Sequence, residues 1–128
     1  MTVVEPAGLY VHIPFCLTRC GYCDFNTYAG LDELKSPYVD ALVHEAQVAG
    51  RAWANVPFRS MFVGGGTPTT LPVSTLTDVL MRLRELFSID TEAEITIEAN
   101  PDTVDEPYLR QLLADGVTRL SIGVQSFD

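Results

Sequence analysis

The sequence predicts an α/β fold: the N-terminal part of a partial (β/α) barrel, its parallel strands joined by helices and the chain truncated after strand four. Two observations carry this reading. Short apolar runs alternate with longer amphipathic ones in the order β-α-β-α-β-α-β, a pattern that implies right-handed crossovers and a parallel sheet. The chain has 128 residues and stops four residues after its last strand run, whereas a complete eight-unit barrel takes about 250. Residues 1–128 therefore read as the N-terminal portion of a core domain, with the rest of the barrel and a C-terminal domain expected elsewhere. The last strand is expected to form an unprotected edge.

Each element has a local reason. Leu9 to Ile13 is a short β-rich run ended by Pro14. Residues 36–49 open on Ser36-Pro37, an expected N-cap with proline at the first helical position, and Tyr38, Leu42, Ala46 and Ala49 follow at helical spacing. Phe58 to Val63 reads as a strand that runs into Gly64-Gly65-Gly66. Residues 74–87 give the clearest helix, with one apolar stripe of Leu76, Val79, Leu80, Leu83, Leu86 and Phe87. Glu94 to Ala99 alternates as a strand. Thr103 and Glu106 suggest a capping box, with Gly116 closing that helix at C′. Arg119 to Val124 reads as the fourth strand.

Composition narrows the function class. Formal net charge is −9, so the chain lacks the basic footprint that nucleic acid or an anionic membrane demands. The start 1-MTVVEPAGLY-10 has no basic n-region, and no apolar run approaches the roughly 18 residues of a span. Together with the cysteine usage, this predicts a cytoplasmic protein.

That usage is the sharpest local signal. Cys16, Cys20 and Cys23 are the chain's three cysteines, spaced C-x3-C-x2-C. An odd trio cannot pair off as disulfides. A [4Fe–4S] cube ligated by three thiolates keeps one iron open for a substrate or cofactor. Two alternatives stand beside it on spacing alone: a zinc tetrahedron completed by His12, and inert buried thiols. Elsewhere, Gly64-Gly65-Gly66-Thr67 follows a strand and reads as a tight turn or a close approach to a ligand. Glu98 and Gln125 lie near strand C-termini, where βα folds place sites.

Read together, 10-YVHIPFCLTRCGYCDF-25, 64-GGGTPTTL-71, 97-IEANPDT-103 and 121-SIGVQSF-127 resemble the radical S-adenosylmethionine (SAM) superfamily. More narrowly, they are similar to its coproporphyrinogen-oxidase-like branch, the HemN/HemW family. The resemblance implies a radical SAM partial barrel with a [4Fe–4S] cluster on Cys16, Cys20 and Cys23, its open iron taking the amino and carboxylate groups of SAM. It implies that Gly65, Gly66 and Thr67 hold SAM's amino end, that Tyr10, Glu98 and Gln125 contact SAM, and that Tyr22 packs against the cofactor. It further implies SAM cleavage to a 5′-deoxyadenosyl radical, a low-potential electron donor, and a tetrapyrrole partner, either haem or coproporphyrinogen III.

The branch holds two functions. One is the oxygen-independent coproporphyrinogen III oxidase, which decarboxylates two propionates. The other is a HemW-like haem chaperone, which keeps the cluster and SAM site but carries haem. The oxidases commonly have a further cysteine two residues after the third, and a longer N-terminal extension. This sequence has Phe25 at that position and a lead-in of 15 residues before Cys16. Both features are expected of the chaperone branch.

Overall fold

The computed structural model describes residues 4–128. Its main sheet holds β1 (Ala7–Ile13), β4 (Pro57–Gly65), β5 (Ser88–Ala99) and β6 (Arg119–Ile122), all parallel and in sequential order. A small parallel pair, β2 (Phe15–Cys16) with β3 (Tyr28–Ala29), flanks the end of β1. Three helices, α1 (Lys35–Ala52), α2 (Val73–Leu86) and α3 (Glu106–Ala114), connect the main strands. Sequential parallel order with right-handed crossovers places all the helices on one face of the sheet. This is the wall of a barrel rather than a doubly wound sheet.

Strand alternation divides the residues between the two faces. Val11 and Ile13 on β1, Met61 and Val63 on β4, and Ile95 and Ile97 on β5 are each no more than 3% exposed. They belong to one core with Leu76, Val79, Leu80 and Leu83 of α2. Each such burial contributes about 1.5–3 kcal/mol. The opposite face carries Tyr10, His12, Phe62, Thr96 and Glu98. Register aligns Tyr10 with Phe62 and Thr96, and His12 with Gly64, so this open face has aromatic and polar rows that end at the strand C-termini.

The predicted β-α-β-α-β-α-β order is present, with differences at the boundaries. A 3-10 turn, Asp32–Leu34, runs straight into α1, so Ser36 and Pro37 fall inside the first turn and no side chain caps the helix. Proline is tolerated there because the first-turn N–H groups lack intrahelical partners anyway. Phe87 leaves the helix in an extended conformation, yet stays buried edge-to-face against Phe58 at 5.4 Å. The expected Thr103–Glu106 box is replaced by two caps. Asn100 and Thr103 form a capping box around the turn Pro101–Thr103, and Asp105 caps α3 by accepting from the Tyr108 N–H at 2.9 Å. Gly116, at φ +87, closes α3 at C′ as predicted.

Tyr108 pins α3 to the segment that leads into α2. Its hydroxyl donates to the Leu71 carbonyl at 2.9 Å, and burial pushes its phenol up to about 12 from 10.0. Because the folded state holds this proton more tightly, its contribution is complete below pH 10 and is lost as pH rises toward 12. Urea unfolding should therefore give constant stability from this group up to pH 10 and a fall above it. In Tyr108→Phe that fall should be shallower. It should not vanish, because burial also raises Tyr10 and Tyr38.

Candidate functional site

The ends of the four main strands converge on one cleft of about 240 Å³. The loop after β1 supplies Cys16, Cys20, Tyr22 and Cys23. The turn after β4 supplies Gly65, Gly66 and Thr67. Glu98 and Asn100 come from the end of β5, and Gln125 from beyond β6. The structure thus brings together every predicted site residue except Tyr10. A larger hollow of about 470 Å³, between Arg84, Asp90 and Asp115, lies at the opposite end of β5 and contains no cysteine.

The cysteine loop is tied at both ends. Pairing of β2 with β3 closes its base, and the Cys23 N–H donates to the Cys20 carbonyl at 3.0 Å to form its inner turn. All three thiols are free and partly exposed. The Thr67 hydroxyl donates to Cys16 Sγ at 3.8 Å, within the longer reach of a sulfur acceptor. Cys23 Sγ lies 3.5 Å from the Thr27 hydroxyl. That hydroxyl, then the Phe25 backbone and the charge of Arg19, hold the Cys23 thiol below its ordinary value and favour the thiolate. Tyr22 is 81% exposed at the cleft, and the neighbouring Cys20 thiol pushes its phenol up.

The glycine turn is dictated by its surroundings. A Cβ on Gly64 would lie 2.6 Å from Glu98 Oε2, so its absence leaves the space the carboxylate occupies. Gly65 adopts φ +111, and its N–H donates to Glu98 Oε2 at 2.9 Å. The Gly66 N–H donates to the Ile13 carbonyl at 2.8 Å and the Thr67 N–H to the Phe15 carbonyl at 2.7 Å. The turn is therefore stitched directly onto the start of the cysteine loop.

Tyr10 stands apart. Its hydroxyl meets His12 Nδ1 at 2.8 Å and its ring stacks on Phe62 at 6.2 Å, on the open face below the cleft. Burial, then the charge of Glu98, raise its phenol. His12 is also spent, because its Nε2 meets the Asn26 carbonyl at 2.9 Å. With both ring nitrogens engaged, His12 does not join the cysteines. Among the described residues no group of three or more His, Cys, Asp or Glu side chains converges on a single ion. A cube differs from a single zinc ion in this respect, because each thiolate takes a separate iron and the sulfurs stand apart around a volume. Three free cysteines on the rim of one cleft fit that requirement.

Two residues escaped the sequence reading. Asn100 links the turn to the chain beyond β6: its Nδ2 donates to Thr67 Oγ1 at 3.1 Å, and its Oδ1 accepts from Gln125 Nε2 at 3.3 Å. Its signal was an asparagine before proline at a strand end. Thr27 is 4% exposed beside Cys23, and nothing in its sequence neighbourhood marks it.

Comparison with known proteins adds three findings. The Radical SAM superfamily profile matches residues 10–128. The chain is 36% identical over 129 residues to the haem chaperone HemW of Buchnera aphidicola subsp. Schizaphis graminum. It is 40% identical over 125 residues to that of Mycobacterium tuberculosis, and 38% over 133 residues to that of Escherichia coli K12. These alignments cover 95% to 100% of the chain but only 32% to 34% of the relatives, so the chain spans about a third of the length of the curated relatives it matches. The fold superposes on the radical SAM enzyme coproporphyrinogen III oxidase (HemN) from Escherichia coli with a TM-score of 0.89 and 38% identity, covering 96% of this chain and 29% of that one.

Proposed function

The chain belongs to the radical SAM superfamily, and from that premise we propose that residues 1–128 are the N-terminal portion of the core domain of a HemW-type haem chaperone. The observation that carries this reading is the composition of one cleft. Three free cysteines face Gly65, Gly66, Thr67, Glu98 and Gln125, while the position two residues past Cys23 is Phe25. Phe25 lines the same cleft and is 71% exposed. A thiol there would face the site; a phenyl ring supplies only apolar surface. The identity to HemW proteins supports the same branch.

When bound, a [4Fe–4S] cluster supplies a low-potential electron and an open coordination position for SAM. Cys16, Cys20 and Cys23 are the residues that would hold it. The half-buried turn Gly65-Gly66, with Thr67, would receive SAM's amino end. The Glu98 carboxylate, which accepts from the Gly65 N–H, and the Gln125 amide line the same cleft and would contact SAM, and the Tyr22 ring would pack against it. Tyr10 would reach SAM from the open face below the cleft, beside His12. The electron donor and the tetrapyrrole belong to the whole protein. Cytoplasmic location is part of the proposal. Its support is the free thiols, and no helix among the described residues is long and apolar enough to cross a membrane.

A second reading, the coproporphyrinogen III oxidase, is favoured by the superposition on HemN. The whole protein, reconstituted anaerobically, separates the two. Haem binding without decarboxylation of coproporphyrinogen III is the expected result. Decarboxylation without stable haem binding would select the oxidase.

A further inference from the structure

We propose that Thr67 raises the reduction potential of the cluster by donating a fixed hydrogen bond to Cys16 Sγ, and that Asn100 holds it in that pose. The inference rests on the reading of Cys16 as a cluster ligand.

The direction of the Thr67 bond follows from its neighbours. Asn100 Oδ1 accepts from Gln125 Nε2 at 3.3 Å, and the backbone N–H of Thr103 is held by the Asn100 carbonyl at 3.0 Å. Nδ2 faces Thr67 and donates to Oγ1 at 3.1 Å. An amide NH₂ accepts nothing in return. The Thr67 hydroxyl proton is left to another acceptor, and Cys16 Sγ at 3.8 Å receives it.

The pose is rigid. Thr67 is 4% exposed, its N–H is held by the Phe15 carbonyl at 2.7 Å, and its carbonyl accepts from the Thr70 N–H at 2.9 Å. The donor chain Asn100 to Thr67 to Cys16 is therefore built before any ligand arrives, and successive donors in such a chain polarise one another. Cys23 Sγ lies 3.5 Å from the Thr27 hydroxyl and, as a cluster thiolate, would accept from that hydroxyl as well.

A hydrogen bond to a ligating sulfur draws charge from the thiolate. It stabilises the reduced, more negative cluster over the oxidised one and moves the potential upward. This matters for a site fed by a low-potential donor. Each step upward eases reduction of the cluster and weakens its own reducing power.

The test is a redox titration of the anaerobically reconstituted full chain, followed by electron paramagnetic resonance and run without SAM, so that any role of Thr67 in binding SAM does not contribute. Thr67→Val keeps the shape and removes the hydroxyl. Its midpoint should move to more negative potential, by up to about 59 mV for a tenfold change in the reduced-to-oxidised ratio of a one-electron couple. Thr67→Ser should stay near the wild-type value. Asn100→Ala, which frees the hydroxyl to turn away, should move the midpoint in the same direction by less, and it carries the test if Thr67→Val does not fold. Equal midpoints in wild type, Thr67→Val and Asn100→Ala at equal iron content would overturn the inference alone. So would a Thr67→Ser shift as large as that of valine. Wild-type chain that takes up no iron would overturn the reading beneath it as well.

Discussion

Changing Cys16, Cys20 or Cys23 to alanine should each abolish cluster retention, with retained iron falling at least about a hundredfold. Loss of an outer partner alone typically costs about 10–100-fold, and here a direct ligand is removed. With three thiolates for a cube, the sequence holds no fourth cysteine to substitute for a lost one. His12 is engaged through both ring nitrogens, at 2.8 and 2.9 Å, and the cleft offers no further thiol. The same substitutions should leave the fold almost unchanged. All three cysteines are only partly buried and contribute little to the core, so stability should stay within about 0.5 kcal/mol of wild type for the two loop positions, Cys20 and Cys23. Iron and sulfide assays beside a urea melt check both halves. Iron retained in a single-cysteine variant would show that the trio is not the ligand set.

Gly66→Ala should instead damage the fold and the cleft together. A Cβ at this position would lie 2.7 Å from the Phe15 carbonyl oxygen, 2.8 Å from the Pro14 carbonyl carbon and 2.9 Å from the Phe15 nitrogen. All three atoms are backbone, so no side chain can swing aside. The bonds from Gly66 N–H to Ile13 and from Thr67 N–H to Phe15 must stretch to make room. Overpacking of this kind costs about 1–3 kcal/mol. It also pushes the turn away from the start of the cysteine loop. Gly21→Ala is the control, since a Cβ there meets nothing within 4 Å, and it should change stability by no more than about 0.5 kcal/mol. Denaturant midpoints of the two variants should therefore differ clearly in one direction. Equal midpoints would mean that the turn is looser than its contacts indicate.

The parts of this molecule that were legible in the sequence share a physical cause. Parallel strands buried on the helix side show as apolar runs, and the loops at their C-terminal ends must meet because a barrel wall curves around them. That is why Cys16, Gly65, Glu98 and Gln125, far apart in the chain, fall in one cleft. Tyr10 was expected beside them but sits lower on the open face. Strand alternation fixes which face a residue occupies, not how far along the strand axis its ring reaches. The caps were the least legible feature. Ser36 competes with a preceding 3-10 turn, and Thr103 is claimed by Asn100 before Glu106 can use it. Both outcomes depend on where the neighbouring turn docks. Asn100 and Thr27 were missed for a related reason. Each acts on a partner's side chain, the Thr67 hydroxyl or the Cys23 sulfur, and such second contacts leave no spacing in the sequence.

On the proposed reading, Cys16, Cys20 and Cys23 would hold a [4Fe–4S] cluster whose open iron would take SAM in the cleft lined by Gly65, Gly66 and Glu98. The most direct measurement is the electron paramagnetic resonance spectrum of the reduced, anaerobically reconstituted chain, recorded before and after addition of SAM. The account predicts a reduced [4Fe–4S] signal that changes shape when SAM is added, because a ligand enters the coordination sphere of one iron. A cluster signal indifferent to saturating SAM, or no cluster signal from chain that remains folded, would contradict it.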